Sequence, residues 1–366
     1  MIPTPRSIID TLKVYVPGRS IEAVAEEFGL EDVVKLASNE NALGFPIQDE
    51  AFFRSVIASL HYYPDAAACS LAGLLSSKLS VANDQIILGN GSDEILQMIA
   101  MAYLNPGEEV ISSKVTFSEY EFVTKLMDGR FVEVPVSGYG YDLAAILSAI
   151  TPKTKLIFIA NPNNPTGTII TKPEMAAFMA NVPDRVMVIL DEAYFDYVED
   201  PDFAGGIDLL STYRNLIVLR TFSKIFGLAG LRIGLGVADA SIIQVLSKVR
   251  QPFNVNSMAI KAAEWMLTYG QAYIKKSREM NHSGKHYFYA ELEAMGLQYV
   301  KTEANFVLIE TGFSAKVIFD RLLVAGVIVR PLESFGLSHA IRVTIGTAEQ
   351  NHRFFIAFKT ILKDLA

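Results

Sequence analysis

Residues 216–236, LIVLRTFSKIFGLAGLRIGLG, gather the side chains of this chain best equipped for chemistry. Lys224 carries a primary amine that can condense with an aldehyde to give a Schiff base. Thr221, Ser223 and Arg232 set two hydroxyls and a guanidinium near it, a group that suits a phosphate dianion better than a carboxylate. Alone, a lysine after a strand is an ordinary solvated loop residue. Its neighbours argue otherwise.

A Schiff-base lysine beside a phosphate cradle is what pyridoxal phosphate requires, and the elements that would present the remaining groups can be found upstream. Leu216 to Leu219 is a short apolar run, the mark of a buried strand, and Lys224 follows it where an open α/β sheet binds ligands. Val186 to Leu190 is a second such run, ending in Asp191-Glu192-Ala193-Tyr194. A carboxylate directly after an apolar strand is costly unless paired. A protonated pyridine nitrogen is a suitable partner, and an ionised Asp191 would keep that proton on the ring and make it an electron sink. Lys155 to Ala160 leads into Asn161-Pro162-Asn163-Asn164-Pro165-Thr166-Gly167, where two prolines fix the backbone and aim the amides. Between Gln85 and Leu104 a strand, the turn GNGSDE and an apolar helix follow one another, a helix N-terminus suited to an anion. That turn is neither a dinucleotide fingerprint, since Glu94 stands where a third glycine belongs, nor a P-loop, since the lysine is missing. Val110 to Ser112 predicts a further strand with Phe117 just beyond its end, a position open to a core aromatic or to a platform for a flat ring.

TFSKIFGLAGLRIG resembles the Schiff-base segment of the fold-type I pyridoxal-phosphate aminotransferases, in the branch that contains histidinol-phosphate aminotransferase. The resemblance runs collinearly from Tyr15 to Gly346. It implies that Lys224 holds the cofactor and acts as base, that Asp191 pairs with the ring nitrogen, and that Tyr194 and Asn164 bond its 3′-oxygen. It assigns the phosphate to Gly91, Ser92, Asp93, Thr221, Ser223 and Arg232, and the stacking ring to Phe117. Tyr63, in His61-Tyr62-Tyr63-Pro64-Asp65, matches a tyrosine that reaches across a homodimer to the partner's cofactor phosphate. Substrate contacts fall to Tyr15, to Asn39 in Asn39-Glu40-Asn41-Ala42-Leu43-Gly44, and to Arg330 and Arg342. Two departures are visible: Ala42 and Val115 stand where relatives commonly have proline. The implied reaction is transamination of L-histidinol phosphate with 2-oxoglutarate, giving glutamate. An aromatic amino acid aminotransferase and a threonine-phosphate decarboxylase share most of these motifs. The same fold also serves as the effector domain of transcription regulators, but here the motifs begin within about fifteen residues of Met1, with no basic helix-turn-helix ahead of them.

At 366 residues, half of them hydrophobic, the chain suits one large domain plus a smaller one. The expected fold is α/β: a large domain with a mostly parallel sheet between helices, and a smaller α/β domain drawn from both chain ends. The divisions are residues 1–40 as arm and part of the small domain, 41–265 as the large cofactor-binding domain, and 266–366 as the small one. Helices are expected from about Ser241 to Val249 and from Ser257 through Glu291, interrupted near Gly270, followed from Gln298 by a βαββα pattern. A net charge of −8 without a Lys/Arg run argues against nucleic acid as a partner. The single cysteine, Cys69, fits a reducing cytoplasm, and neither a signal peptide nor a membrane-length apolar run is expected. His282 and His286 lie one helical turn apart without a third ligand, so no metal is expected. HExxH and GxSxG are absent, which disfavours metal and serine hydrolases.

Overall fold

The computed structural model describes residues 3–12 and 18–365. Its centre is a seven-stranded sheet: β1 (Ile86–Gly89), β2 (Glu109–Ser113), β3 (Arg130–Val134), β4 (Thr154–Ala160), β5 (Met187–Asp191), β6 (Leu216–Thr221) and β7 (Gly234–Ala238). The order across the sheet is β1-β7-β6-β5-β4-β2-β3. Neighbours pair in parallel except at β7, which runs antiparallel to both β6 and β1. The sheet is thus α/β and mostly parallel, as expected from the apolar runs.

Those runs are continuous because both faces are covered. Leu156 and Phe158 of β4 point into one cluster with Ile95, Ile99 and Tyr120, while Ile157 and Ile159 point into another with Met175 and Phe178. Helices Ser92–Tyr103 and Ala240–Val249 cover the first face, and helix Lys172–Met179 the second. Two strands run further than the apolar pattern suggests. β5 includes Asp191, and β6 reaches Thr221, which faces Gly234 across the ladder. Both polar residues are therefore held by sheet pairing rather than carried on loops.

Two helices, Ser257–Tyr269 and Gln271–Ala294, meet at Gly270, where the sequence indicates an interruption. Beyond them lies a four-stranded antiparallel sheet of β8 (Tyr299–Val300), β9 (Phe306–Glu310), β10 (Arg330–Pro331) and β11 (Ala340–Thr344), in the order β8-β9-β11-β10. Its core gathers Phe288, Phe354, Phe355 and Phe358. Val34 and Lys35 pair in parallel with Val327 and Ile328, and Thr344 N donates to Leu36 O. The segment that enters the site at Ala37–Asn39 is thereby sewn to the C-terminal sheet. No helix among the described residues is long and apolar enough to cross a membrane.

Candidate active site

Registry brings the chemistry together. Ala160 and Asp191 lie side by side at the C-terminal ends of β4 and β5, and Asp191 faces Leu219, two residues before the end of β6. Gly234 pairs with both Thr221 and Gly89, so the turn after β1 arrives at the same edge. A cavity of about 200 Å³ opens there, walled by Ser92, Phe117, Asn164, Asp191, Tyr194 and Lys224, with Arg330 and Arg342 of the C-terminal sheet also lining it.

Asp191 is buried, and burial is the main reason its carboxyl is pushed up from 3.8 to about 6. Tyr120 Oη donates to its Oδ2 at 2.9 Å and Ala193 N donates to its Oδ1 at 3.2 Å, which oppose that rise. The negative charges of Asp93 and Glu192 add to it. Both hydrogen-bond donors to this carboxylate, a phenol and a backbone amide, are neutral. It is a buried anion in want of a cation. Its neighbour Glu192 is paired instead, at 2.8 Å from Arg220, and accepts from Gly206 N, which braces the Asp191–Tyr194 turn.

Tyr194 Oη accepts from Asn39 Nδ2 at 2.8 Å, so its own proton is left to donate elsewhere. Asn39 has a left-handed backbone, φ 56°, held from both sides by Thr344: Asn39 N donates to Thr344 Oγ1 at 2.9 Å, and that hydroxyl donates to Asn39 Oδ1 at 3.1 Å. Arg342 donates to Asn164 Oδ1 and, at 2.6 Å, to Ala37 O. With its carbonyl oxygen engaged by a cation, Asn164 presents its amide N–H groups to the cavity. Lys224 Nζ donates to Ser38 O at 3.2 Å and lies 5.7 Å from the centroid of the Tyr194 ring.

At the other end Ser92, Thr221, Ser223 and Arg232 converge. Ser92 opens a twelve-residue helix whose N-cap, Gly91, has φ +79° and no side chain to occupy the free N–H groups. A Cβ on Gly91 would sit 2.3 Å from Arg232 Nη2, so only glycine lets the guanidinium lie against the turn. Asp93 accepts from Arg232 Nη2 at 3.0 Å and so aims that cation with its side chain, leaving its backbone N–H at the helix start. An anion cradle, a nearby amine, a flat aromatic and a buried carboxylate lacking a cation fit pyridoxal phosphate, whose phosphate, aldehyde, ring face and ring nitrogen call for these four partners.

The aminotransferase class I and II family model matches residues 31–358. The chain belongs to that family. The histidinol-phosphate aminotransferase of Moorella thermoacetica is 46% identical over 362 residues, covering 99% of this chain and 94% of its own length. That of Caldicellulosiruptor saccharolyticus is 43% identical, covering 98% of this chain and 99% of its own. The crystal structure of histidinol-phosphate aminotransferase from Sinorhizobium meliloti in complex with pyridoxal-5′-phosphate superposes with a TM-score of 0.89 at 25% identity, spanning 100% of this chain and 99% of that one. The fold is that of the fold-type I enzymes.

Of the described site residues expected from sequence, all line the cavity except Gly91, which lies against Arg232 beside it, and Tyr63, which lies away from it. Tyr63 is 81% exposed and stacks on Phe253 with ring centroids 4.6 Å apart. Tyr15 lies outside the described residues. Sequence reasoning passed over Tyr120, Thr344 and Phe335. Tyr120 stands three residues after Phe117, and Thr344 two after Arg342 on the same strand face, spacings from which both were findable. Phe335 lines the cavity from a one-turn helix, with no periodic signal. His282 faces Glu199 at 3.1 Å, and no cluster of three possible metal ligands occurs among the described residues.

The raised Asp191 carboxyl has a measurable consequence in the cofactor-free protein. Between about pH 4 and pH 6 the folded state binds more protons than the unfolded one, so this group makes stability fall as pH rises through that window. Asp191→Asn should remove the slope and leave the apo-protein about 3 kcal/mol more stable than wild type at pH 7, with the difference vanishing below pH 4. Urea denaturation across pH checks this, and parallel pH profiles for the two proteins would contradict it.

Proposed function

We propose that this aminotransferase transfers the amino group of L-histidinol phosphate to 2-oxoglutarate. The observation that carries the substrate is the pairing of Arg330 with Arg342. They are direct partners on β10 and β11, and both line the cavity. Like charges directly opposite on a sheet repel. An anion between them converts that repulsion into binding, and two guanidiniums suit a phosphate dianion. Histidinol phosphate has no carboxylate, so its phosphate takes this place, and the carboxylate of 2-oxoglutarate or glutamate uses Arg342 in the second half-reaction. The names carried by the relatives support the same reading. An aromatic amino acid would leave Arg330 with little to do.

Pyridoxal phosphate, when bound, supplies the aldehyde that accepts an amino group and a ring that withdraws electrons from the carbon next to it. The chain supplies the rest. Lys224 Nζ is the base that takes the proton from the substrate carbon bearing the amine. Asp191 holds a proton on the ring nitrogen, and Tyr194 with Asn164 donates to the ring oxygen. Phe117 fixes the ring plane, while Ser92, Thr221, Ser223, Arg232 and the backbone N–H groups from Gly91 to Asp93 hold the phosphate. Asn39 and Tyr15 complete the substrate side. The lone Cys69, exposed and unpaired in a disulfide, agrees with work in a reducing cytoplasm.

Removing one charge-assisted contact costs roughly 1.5–3 kcal/mol, so Arg330→Ala should lower kcat/KM for L-histidinol phosphate by about 10- to 100-fold. The same variant should change kcat/KM for L-phenylalanine by less than about threefold, since that substrate makes no call on Arg330. Single-turnover rates with both amines decide the matter. A variant that loses nothing with histidinol phosphate, or a wild type that prefers phenylalanine, would favour the aromatic aminotransferase.

The working unit in this reading is an isologous homodimer. Tyr63 and Phe253, stacked on each other, are both exposed, as are Ile57, Leu60 and Tyr62 just before Tyr63 in the chain, an exposure of large apolar side chains of the kind that marks an interface. Tyr63 would complete the cofactor-phosphate site of the partner. Tyr63→Phe should weaken cofactor binding without changing the sedimentation of a dimer. A fully active monomer at assay concentration would rule this arrangement out.

A further inference from the structure

Tyr120 is fully buried at the start of the helix Glu119–Leu126, and its ring lies flat against Phe158, centroids 4.9 Å apart with 8° between planes. Core packing would be served as well by phenylalanine. The hydroxyl, however, donates to Asp191 Oδ2 at 2.9 Å and is the one side-chain hydrogen-bond donor to that carboxylate among the described residues. Burial and the adjacent carboxylate push the phenol well above its ordinary range, so it stays a donor. Phe117, three residues earlier, meets the Tyr120 ring edge-on at 5.7 Å. One short segment thus carries both the aromatic wall of the cavity and the donor that engages Asp191.

We propose that Tyr120 is a positioning residue for the transamination: its hydroxyl fixes the rotation of the Asp191 carboxylate and favours the ionised form that pairs with a cationic ring nitrogen. A carboxylate held by Tyr120 on Oδ2 and by Ala193 N on Oδ1 cannot swing, and its remaining lone pairs are offered to the cavity it lines. Tyr120 acts only through Asp191. This inference rests on reading the cavity as a pyridoxal-phosphate site.

Tyr120→Phe deletes one oxygen and keeps the stacked ring, so circular dichroism should match wild type. Loss of a hydrogen bond to a charged group should raise the dissociation constant for pyridoxal phosphate by about 10- to 100-fold. kcat should fall by a similar factor, with KM for the amino donor little changed. In an Asp191→Asn background the same substitution should alter cofactor affinity by no more than about twofold, because the partner it acts through is gone. An unchanged affinity and kcat in Tyr120→Phe, or an equal loss in both backgrounds, would reduce Tyr120 to a core residue. Wild-type affinity is measured first. Failure of the wild type to bind pyridoxal phosphate overturns the site itself, whereas wild-type binding with an indifferent Tyr120→Phe overturns this inference alone.

Discussion

A carboxylate stranded at the end of an apolar strand is the constraint to which the rest of this structure answers. Asp191 is buried by the sheet that carries it, and that burial is unfavourable for its charge. Two neighbours lessen that penalty, while the charges of Asp93 and Glu192 add to it. The Tyr120 hydroxyl and Ala193 N donate to Asp191, and Glu192 is paired locally with Arg220 so that it does not compete for the same cation. The cavity leaves one side of Asp191 open. A site that stores an unpaired buried anion binds a ring cation strongly, because folding has already done the desolvation.

The second dependence is between the two sheets. Asp191, Tyr194 and Lys224 sit at the edge of the large sheet and Arg330 and Arg342 on β10 and β11, so the cavity exists only where the two are brought together. The strip from Val34 to Asn39 makes that junction. It pairs with Val327–Ile328, bonds Thr344, and hands the Asn39 amide to Tyr194. Arg342 closes the same seam by bonding both Ala37 O and Asn164. In the proposed reading, a substrate anion at Arg342 would meet a residue already bonded to Asn164 on the large-sheet side.

The strand ends were legible because apolar runs of parallel strands stop where the chain reaches the ligand edge. Leu216–Leu219 and Val186–Leu190 placed the ends of the strands that precede Lys224 and carry Asp191 to within a residue or two, and glycine spacing located the helix opening at Ser92. Contacts across the fold were not legible. That Thr344 holds Asn39, or that Tyr120 reaches Asp191, depends on partners 305 and 71 residues apart in the chain, and no local pattern encodes such a meeting. The direct opposition of Arg330 and Arg342 needed the register of β10 on β11. Extension of β5 and β6 to include Asp191 and Thr221 likewise came from pairing with neighbouring strands.

The most direct test of the account is chemical. The purified protein is loaded with pyridoxal phosphate, reduced with borohydride, digested and mapped by mass spectrometry. The account predicts one pyridoxyl adduct per chain, carried by the peptide containing Lys224, and none when L-histidinol phosphate is added before reduction in the absence of 2-oxoglutarate. An adduct on another lysine, or one on Lys224 that persists unchanged after the amine is added, would contradict it.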